Sequence, residues 1–265
     1  IGGILWNLFT WLLGLPSSSS HALFGGLIGA AFAAMGTSGV EWSSIAGKIV
    51  IPAVASPIIA ALVSACATFL VYWVTNTIPN KAKNEHFRHG QIVTACLVSL
   101  AHGAGDAQKT MGIIAMTLIG AEATGALDDL PSWLAFMHPD AHAGDGIAMW
   151  IVLTCAVVMA AGTASGGWKI IKTLGHKMVK LHPIHGFAAE TSSATILTLA
   201  AHFGMPVSTA HSISTAIMGV GFAKNPRSLK FGVIERIVWA WILTIPAAGG
   251  CAYLILKLFE LFGWT

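Results

Sequence analysis

Charge is what this sequence most lacks. Asp, Glu, Lys and Arg together make up 9% of 265 residues, while apolar types make up 55%. So few charges cannot cover a surface facing water, which excludes an ordinary soluble domain. The net charge of +3 is small, and the basic residues are scattered among loops rather than set in one stripe, which argues against a nucleic-acid partner. No CxxC spacing occurs; Cys66, Cys96, Cys155 and Cys251 all fall in apolar runs. They read as small buried hydrophobes, excluding a thiolate metal site and a disulfide framework. No charged stretch precedes the first apolar run, so no signal peptide is visible, and the chain opens on Ile1 rather than Met. A lost N-terminal portion is therefore expected.

What is present is a series of apolar segments at a mean hydropathy of +0.74. Residues 1–14 are apolar and lead into a short segment at 15–35. Residues 36–47 form a small-residue loop whose only charge is Glu41. A spanning helix is expected at 49–74, with Pro52 and Pro57 tolerated as kinks among neighbouring helices. A polar loop follows at 75–89. Residues 90–120 are apolar but too long for one span, and HGAGDAQKT at 102–110 is expected to interrupt them. The loop at 121–146 carries Glu122, Asp128, Asp129, Asp140 and Asp145 without any Lys or Arg. Further spans are expected at 147–166 and 231–262, around a basic loop at 167–182 and a hairpin region at 186–222.

That last region contains a repeat. Met205–Gly221, MPVSTAHSISTAIMGVG, restates the grammar of LPSSSSHALFGGLIGAA at 15–31. Pro16 pairs with Pro206, Ser18 with Ser208, Ser19 with Thr209, His21 with His211 and Gly29 with Gly219, all at one spacing. Internal self-similarity of this kind divides the chain into two related halves. Each apolar run is short and opens on Pro and hydroxyls, so each reads as a re-entrant hairpin lining a cavity. Sidedness follows from Lys and Arg in the short loops. Loops 75–89, 167–182 and 223–230 hold ten of the fourteen basic residues and are expected in the cytoplasm, with loop 121–146 outside. The two hairpins then enter from opposite faces. The expected fold is all-α: a polytopic membrane protein built as an inverted-repeat secondary transporter with two re-entrant helical hairpins.

Several polar groups stand inside apolar segments. Asp106 and Lys109 are three apart, so they can meet on one helix face. At membrane depth such a pair marks a functional site, or it is a self-neutralised pair joining two helices. Gly103 and Gly105 favour function, since a helix broken there would free backbone N–H groups for a ligand. Ser17–Ser20 and Ser208–Thr209, each after a proline at a helix start, can cradle an oxyanion; plain N-capping is the alternative. Glu190 can bind a cation or carry a proton, or sit solvated near the cytoplasmic face. His21 and His211 read as locally packed and hydrogen-bonded rather than as metal ligands. His102 is a proton relay beside Asp106 or a bystander, and His138, His142 and His176 fall in loops. Glu235 and Arg236 read as interfacial anchors.

HGAGDAQKTMGII, GFAAETSSATIL and the twin hairpin turns together resemble the inorganic phosphate transporter (PiT) family of cation-coupled symporters, over nearly the whole chain. The resemblance implies phosphate held at the midplane between two hairpins and two acidic motifs. Carried over by position, Ser18, Ser19, Ser20, Ser208 and Thr209 match the hairpin turns. Asp106, Gln108, Lys109 and Thr110 match the second acidic motif, with Gly105 where the family usually has Asn. Asp106 and Glu190 would take the coupling ion, Na⁺ or H⁺, and no cofactor or resident metal is implied. The first acidic motif is missing; its place is expected roughly 84 positions before Ile1, so this chain alone is not expected to transport. Residues 1–74 then form the remainder of a first repeat (hairpin about 1–35, helix 49–74), 75–89 a cytoplasmic loop and 90–265 the second repeat. The implied partners are inorganic phosphate, free or as a metal–phosphate complex, and the lipid bilayer of a cell (inner or plasma) membrane, with a homodimer admitted. Another oxyanion such as sulfate, or a divalent-metal channel or transporter, is the alternative.

Overall fold

The structure is a computed structural model and describes residues 1–139 and 146–263. Asp140, His142 and Asp145 of the expected acidic loop lie outside the described residues. No strand occurs among the described residues. The helices are α1 (Gly2–Leu12), α2 (Ser19–Met35), the short α3 (Trp42–Ile45), α4 (Ile51–Val74), α5 (Asn80–Ala123), α6 (Met149–Gly166), the short α7 (Trp168–Lys172), α8 (Pro183–His202), α9 (Thr209–Lys224) and α10 (Phe231–Leu261). Among the described residues, four helical stretches are long and apolar enough to cross a membrane: Ser19–Gly39, Trp42–Val74, Met149–Gly166 and Phe231–Leu261. The chain divides into two compact units, Ile1–Ala101 with Trp168–Thr265, and His102–Gly167.

In the first unit the repeat is visible atom by atom. α1 ends with the Leu13 N–H donating to Phe9 O, Gly14 N–H to Trp11 O and Leu15 N–H to Thr10 O. α8 ends with Phe203 donating to Leu199, Gly204 to Ala201 and Met205 to Ala200. Gly14 (φ 68°) and Gly204 (φ 64°) supply the left-handed residue that closes each helix. After each proline a serine takes over: Ser18 and Ser208 are N-caps whose hydroxyls accept from the backbone N–H of His21 and His211.

The halves then exchange partners. α2 packs on α10, the long helix after the other hairpin, and α9 packs on α4. α1 joins the α10 group and α8 the α4 group. The buried stripe of α4 is Ser56, Ala60, Ser64 and Thr68; that of α10 includes Ala240, Thr244 and Ala248. Small residues at four-residue spacing let backbones come close, the usual basis of helix packing where lipid is as apolar as the contact. A Cβ on Gly29 would fall on the Gly249 backbone, and one on Gly219 on the Ala61 carbonyl. Ser64 Oγ donates to Ala216 O at 2.7 Å, and Trp6 Nε1 donates to Thr244 Oγ1 at 2.9 Å. The opposite faces of α4 and α10 present Val54, Ile58, Leu62, Trp239, Ile242 and Leu254 outward, as lipid contact requires.

The second unit holds the C-terminal part of α5, a 3₁₀ turn at Ser132–Met137 and α6, around Ala107, Met111, Ile151 and Cys155. His138 Nδ1 pairs with Glu122 Oε2 at 2.8 Å, tying the turn to the end of α5.

Three expectations need correction. α5 runs unbroken through 102–110, so Gly103 and Gly105 do not interrupt it. Each costs roughly 1 kcal/mol against Ala in a helix, less than unpaired backbone would cost where water is scarce. The loop expected at 75–89 is helical from Asn80 onward. Of the four cysteines only Cys155 is buried; Cys66 and Cys96 are exposed and Cys251 is intermediate. Apolarity marked membrane depth, not burial in protein.

Candidate functional site

The two hairpin turns meet. His21 and His211, three residues beyond their serine N-caps, stand edge to face with ring centroids 4.7 Å apart. Both rings are buried. The Trp241 ring lies 4.2 Å from His211, and its Nε1 donates to Pro16 O at 2.8 Å. One α10 side chain therefore holds both turns at once. Two helix N-termini are brought side by side, and each brings the positive end of a helix dipole. Ser18, Ser20, Ser208 and Thr209 are buried at this meeting point, while Ser19 is exposed. Ser17, which follows Pro16, shares a 2.6 Å hydrogen bond with Thr10. Each cap uses one hydroxyl of its turn, and a helix start of this kind suits an anion.

Glu190 lies on α8, half-buried, and is held by α5. Thr94 Oγ1 donates to Glu190 Oε2 at 2.6 Å, and Gln91 Nε2 donates to Oε1 at 3.4 Å. Phe87 and Phe187 pack at 5.2 Å along the same helix pair. The carboxylate is thus anchored between two helices. Nearby, His185 Nε2 and the Tyr72 hydroxyl are 2.6 Å apart, and His185 Nδ1 accepts from the His182 backbone N–H.

In the second unit Asp106 is 7% exposed and accepts from Lys109 Nζ at 2.9 Å, with His102 Nδ1 3.4 Å from its other oxygen. The expected i, i+3 pairing is present, with both groups on one continuous helix. A buried carboxylate with an ammonium on one side and an imidazole on the other is held in place and nearly neutralised. Gln108 and Thr110 are exposed.

The sequence singles out the hairpin turns, Asp106, Lys109 and Glu190; the structure brings the two turns together and pairs Asp106 with Lys109. Sequence reasoning did not find Thr94 and Gln91 as partners of Glu190, nor the His21–His211 contact, nor Trp241. The signal for the first was available: Thr94 and Gln91 are polar residues three apart on one face of an apolar helix. The histidine contact carried no local signal, because it joins the two copies of the repeat, far apart in the chain.

Residues 1–252 match the family described as the phosphate transporter family. A probable low-affinity inorganic phosphate transporter of Mycobacterium bovis is 46% identical over 249 residues, 94% of this chain. A probable low-affinity inorganic phosphate transporter of Bacillus subtilis is 40% identical over 265 residues, 97% of this chain and 73% of that protein. This chain spans 56% of the length of the mycobacterial relative. Among solved structures, the sodium-dependent phosphate transporter shares the fold at a TM-score of 0.78 and 24% identity, covering 98% of this chain and 78% of that one.

Proposed function

The chain belongs to the phosphate transporter family, and from that premise we propose that it carries inorganic phosphate across the cell membrane by symport with a cation. Its relatives are named as transporters, not enzymes, and it is an integral membrane protein. In the proposed cycle the two hairpins are re-entrant and inverted, and rock around a fixed site in alternating access.

The observation that carries the reading is the meeting of two serine-capped helix starts at His21 and His211. Phosphate is a tetrahedral polyanion, and paired N-termini with Ser18, Ser19, Ser20, Ser208 and Thr209 offer donors from two sides. Asp106, Gln108, Lys109 and Thr110 are the proposed partners on the acidic motif. Because the Asp106–Lys109 pair is nearly neutral, the anion's charge is balanced by helix dipoles and the coupling ion rather than by a free cation. Glu190 and Asp106 are the proposed seats for Na⁺ or H⁺. Gly105, where the family usually has Asn, leaves one ligand to backbone or water. A metal–phosphate complex fits the same cradle.

The test uses the full-length gene product in proteoliposomes, with labelled phosphate uptake under separate Na⁺ and pH gradients. Wild type is expected to respond to one gradient, and Asp106→Asn to lose uptake at least tenfold. Uptake of labelled sulfate with none of phosphate would replace the substrate. Uptake of neither, by folded protein, would overturn oxyanion transport.

A further inference from the structure

The turn of the first hairpin is covered by a segment from far along the chain. Gly14 is buried, and a Cβ there would stand 3.5 Å from Thr173 Oγ1 and 3.8 Å from the Lys169 carbonyl oxygen. At Gly204, in the second turn, an added Cβ would meet nothing within 4 Å. The covering segment is α7 with the π-helical turn Thr173–Met178 behind it. Thr173 Oγ1 donates to Gly14 O at 2.7 Å, and Lys169 Nζ lies 4.1 Å from the centre of the Trp11 ring. A threonine in a helix commonly gives its proton to a carbonyl one turn back. That carbonyl, of Lys169, is 3.2 Å away, so the shorter bond across to Gly14 takes the single proton. Thr173 is 4% exposed, and solvent is poorly placed to replace the bond.

The segment is itself anchored in the other half of the repeat. Met178 and Val179 are fully buried in one core with Val220, Leu229 and Ile237 of α9, α10 and the loop between them. The Lys230 N–H donates to Met178 O at 3.1 Å, and Lys224 Nζ donates to Lys180 O at 2.9 Å. The clamp on Gly14 therefore bears on fixed ground. Two residues further on, Pro16 O accepts from Trp241, and the Ser17 hydroxyl is tied to Thr10. The cap Ser18 follows directly. A turn held at three successive points gives α2 a single entry angle. Groups that bind a ligand do so well only when their supports lock them in the productive geometry.

We propose that Thr173, seconded by Lys169, is a positioning residue for the oxyanion cradle of the first hairpin. It touches no anion itself. By holding the Gly14 carbonyl it fixes the turn, and with it the direction in which Ser18 and the start of α2 face the anion. Lys169 holds the end of α1 through the Trp11 ring, a contact that uses its charge without an acidic partner. The inference rests on reading the serine turns as the phosphate cradle.

The experiment measures labelled phosphate uptake against phosphate concentration, with the full-length protein in proteoliposomes. T173V is expected to raise KM roughly fivefold, the size of one net hydrogen bond, with the maximal rate little changed. T173S keeps the hydroxyl and is expected to restore the wild-type KM. K169Q is expected to raise KM by a smaller factor and K169R to leave it unchanged; this pair serves if T173V does not fold. Double variants separate positioning from general damage. T173V and S18A act on one turn, so their joint effect on KM should fall short of the product of the two, whereas T173V and S208A should multiply. Multiplication in both pairs overturns the proposal, as does an unchanged KM in folded T173V. Hydrogen exchange of the full-length protein in detergent is read in parallel. Residues 11–18 are expected to exchange faster in T173V, and residues 201–208 as in the wild type. Unchanged exchange at 11–18 removes the clamp and leaves phosphate transport standing. Faster exchange there, in a protein that carries no phosphate, does the reverse.

Discussion

The two hairpins share one backbone plan and differ in what fills the seam. Both turn through a left-handed glycine, a proline and a capping serine, and both send a histidine to the same meeting point. Yet α1 meets α2 through Gly3 and Ala22, while α8 and α9 carry Ser193 and Ser212 at the same places. The anchoring bonds differ too. α1 reaches α10 through the Trp6 indole on Thr244, whereas α4 reaches α9 through the Ser64 hydroxyl on a backbone carbonyl. A repeat thus conserves the elements that shape the backbone, namely turn, cap and close-packed glycine, and leaves side-chain chemistry free to diverge. One hairpin is sealed; the other is polar inside.

The largest test breaks what the hairpins have in common. Gly29→Leu and Gly219→Leu each force a side chain into a facing helix backbone, with Gly249 and Ala61 in the way. Each should destabilise by about 3 kcal/mol, the upper end for overpacking, read as a fall in thermal midpoint in detergent. A large effect at only one site would show that the shared plan supports only one half.

A smaller change sharpens the difference. Gly3→Ser puts a hydroxyl into the sealed seam, where the Ala22 carbonyl leaves too little room. A loss of about 2 kcal/mol is expected from the strain of overpacking, whereas Ser193→Gly at the matching position should cost less. Equal losses at the two positions would mean the seams are packed alike.

The smallest effect concerns the caps. Ser18→Ala and Ser208→Ala each remove one N-cap bond, worth about 1 kcal/mol. Phosphate uptake should fall in both, and by similar factors if both turns contact the anion. A fall confined to one variant would assign the oxyanion to a single hairpin.

Much of the candidate site is legible along the chain, because its signals are local. A proline, two hydroxyls and a histidine at fixed spacing describe a capped helix start wherever it occurs, and Asp106 with Lys109 needs only a helix to meet. The break at Gly103 and Gly105 was misjudged for a related reason. Glycine weakens a helix, but in a membrane the alternative is unpaired backbone, and the helix persists. The cysteines show a second limit: an apolar run looks the same whether it faces protein or lipid, so Cys66 and Cys96 gave no sign of their exposure. Glu190 is visible as an acid inside an apolar segment, while its partners Thr94 and Gln91 belong to another helix.

The sequence by itself determined the helices, the membrane setting, the repeat and the residue types at each turn. These follow from hydrophobic run length, proline and glycine placement and capping chemistry, all properties of a few neighbouring residues. Only the tertiary structure decided that each hairpin packs on the long helix of the opposite half and that His21 meets His211. Those contacts depend on which small-residue stripes fit together. Stripes such as Ser56–Thr68 and Ala240–Ala248 are alike enough that local pattern cannot choose between them. The choice is made by close packing, where a glycine in one helix admits the backbone of another.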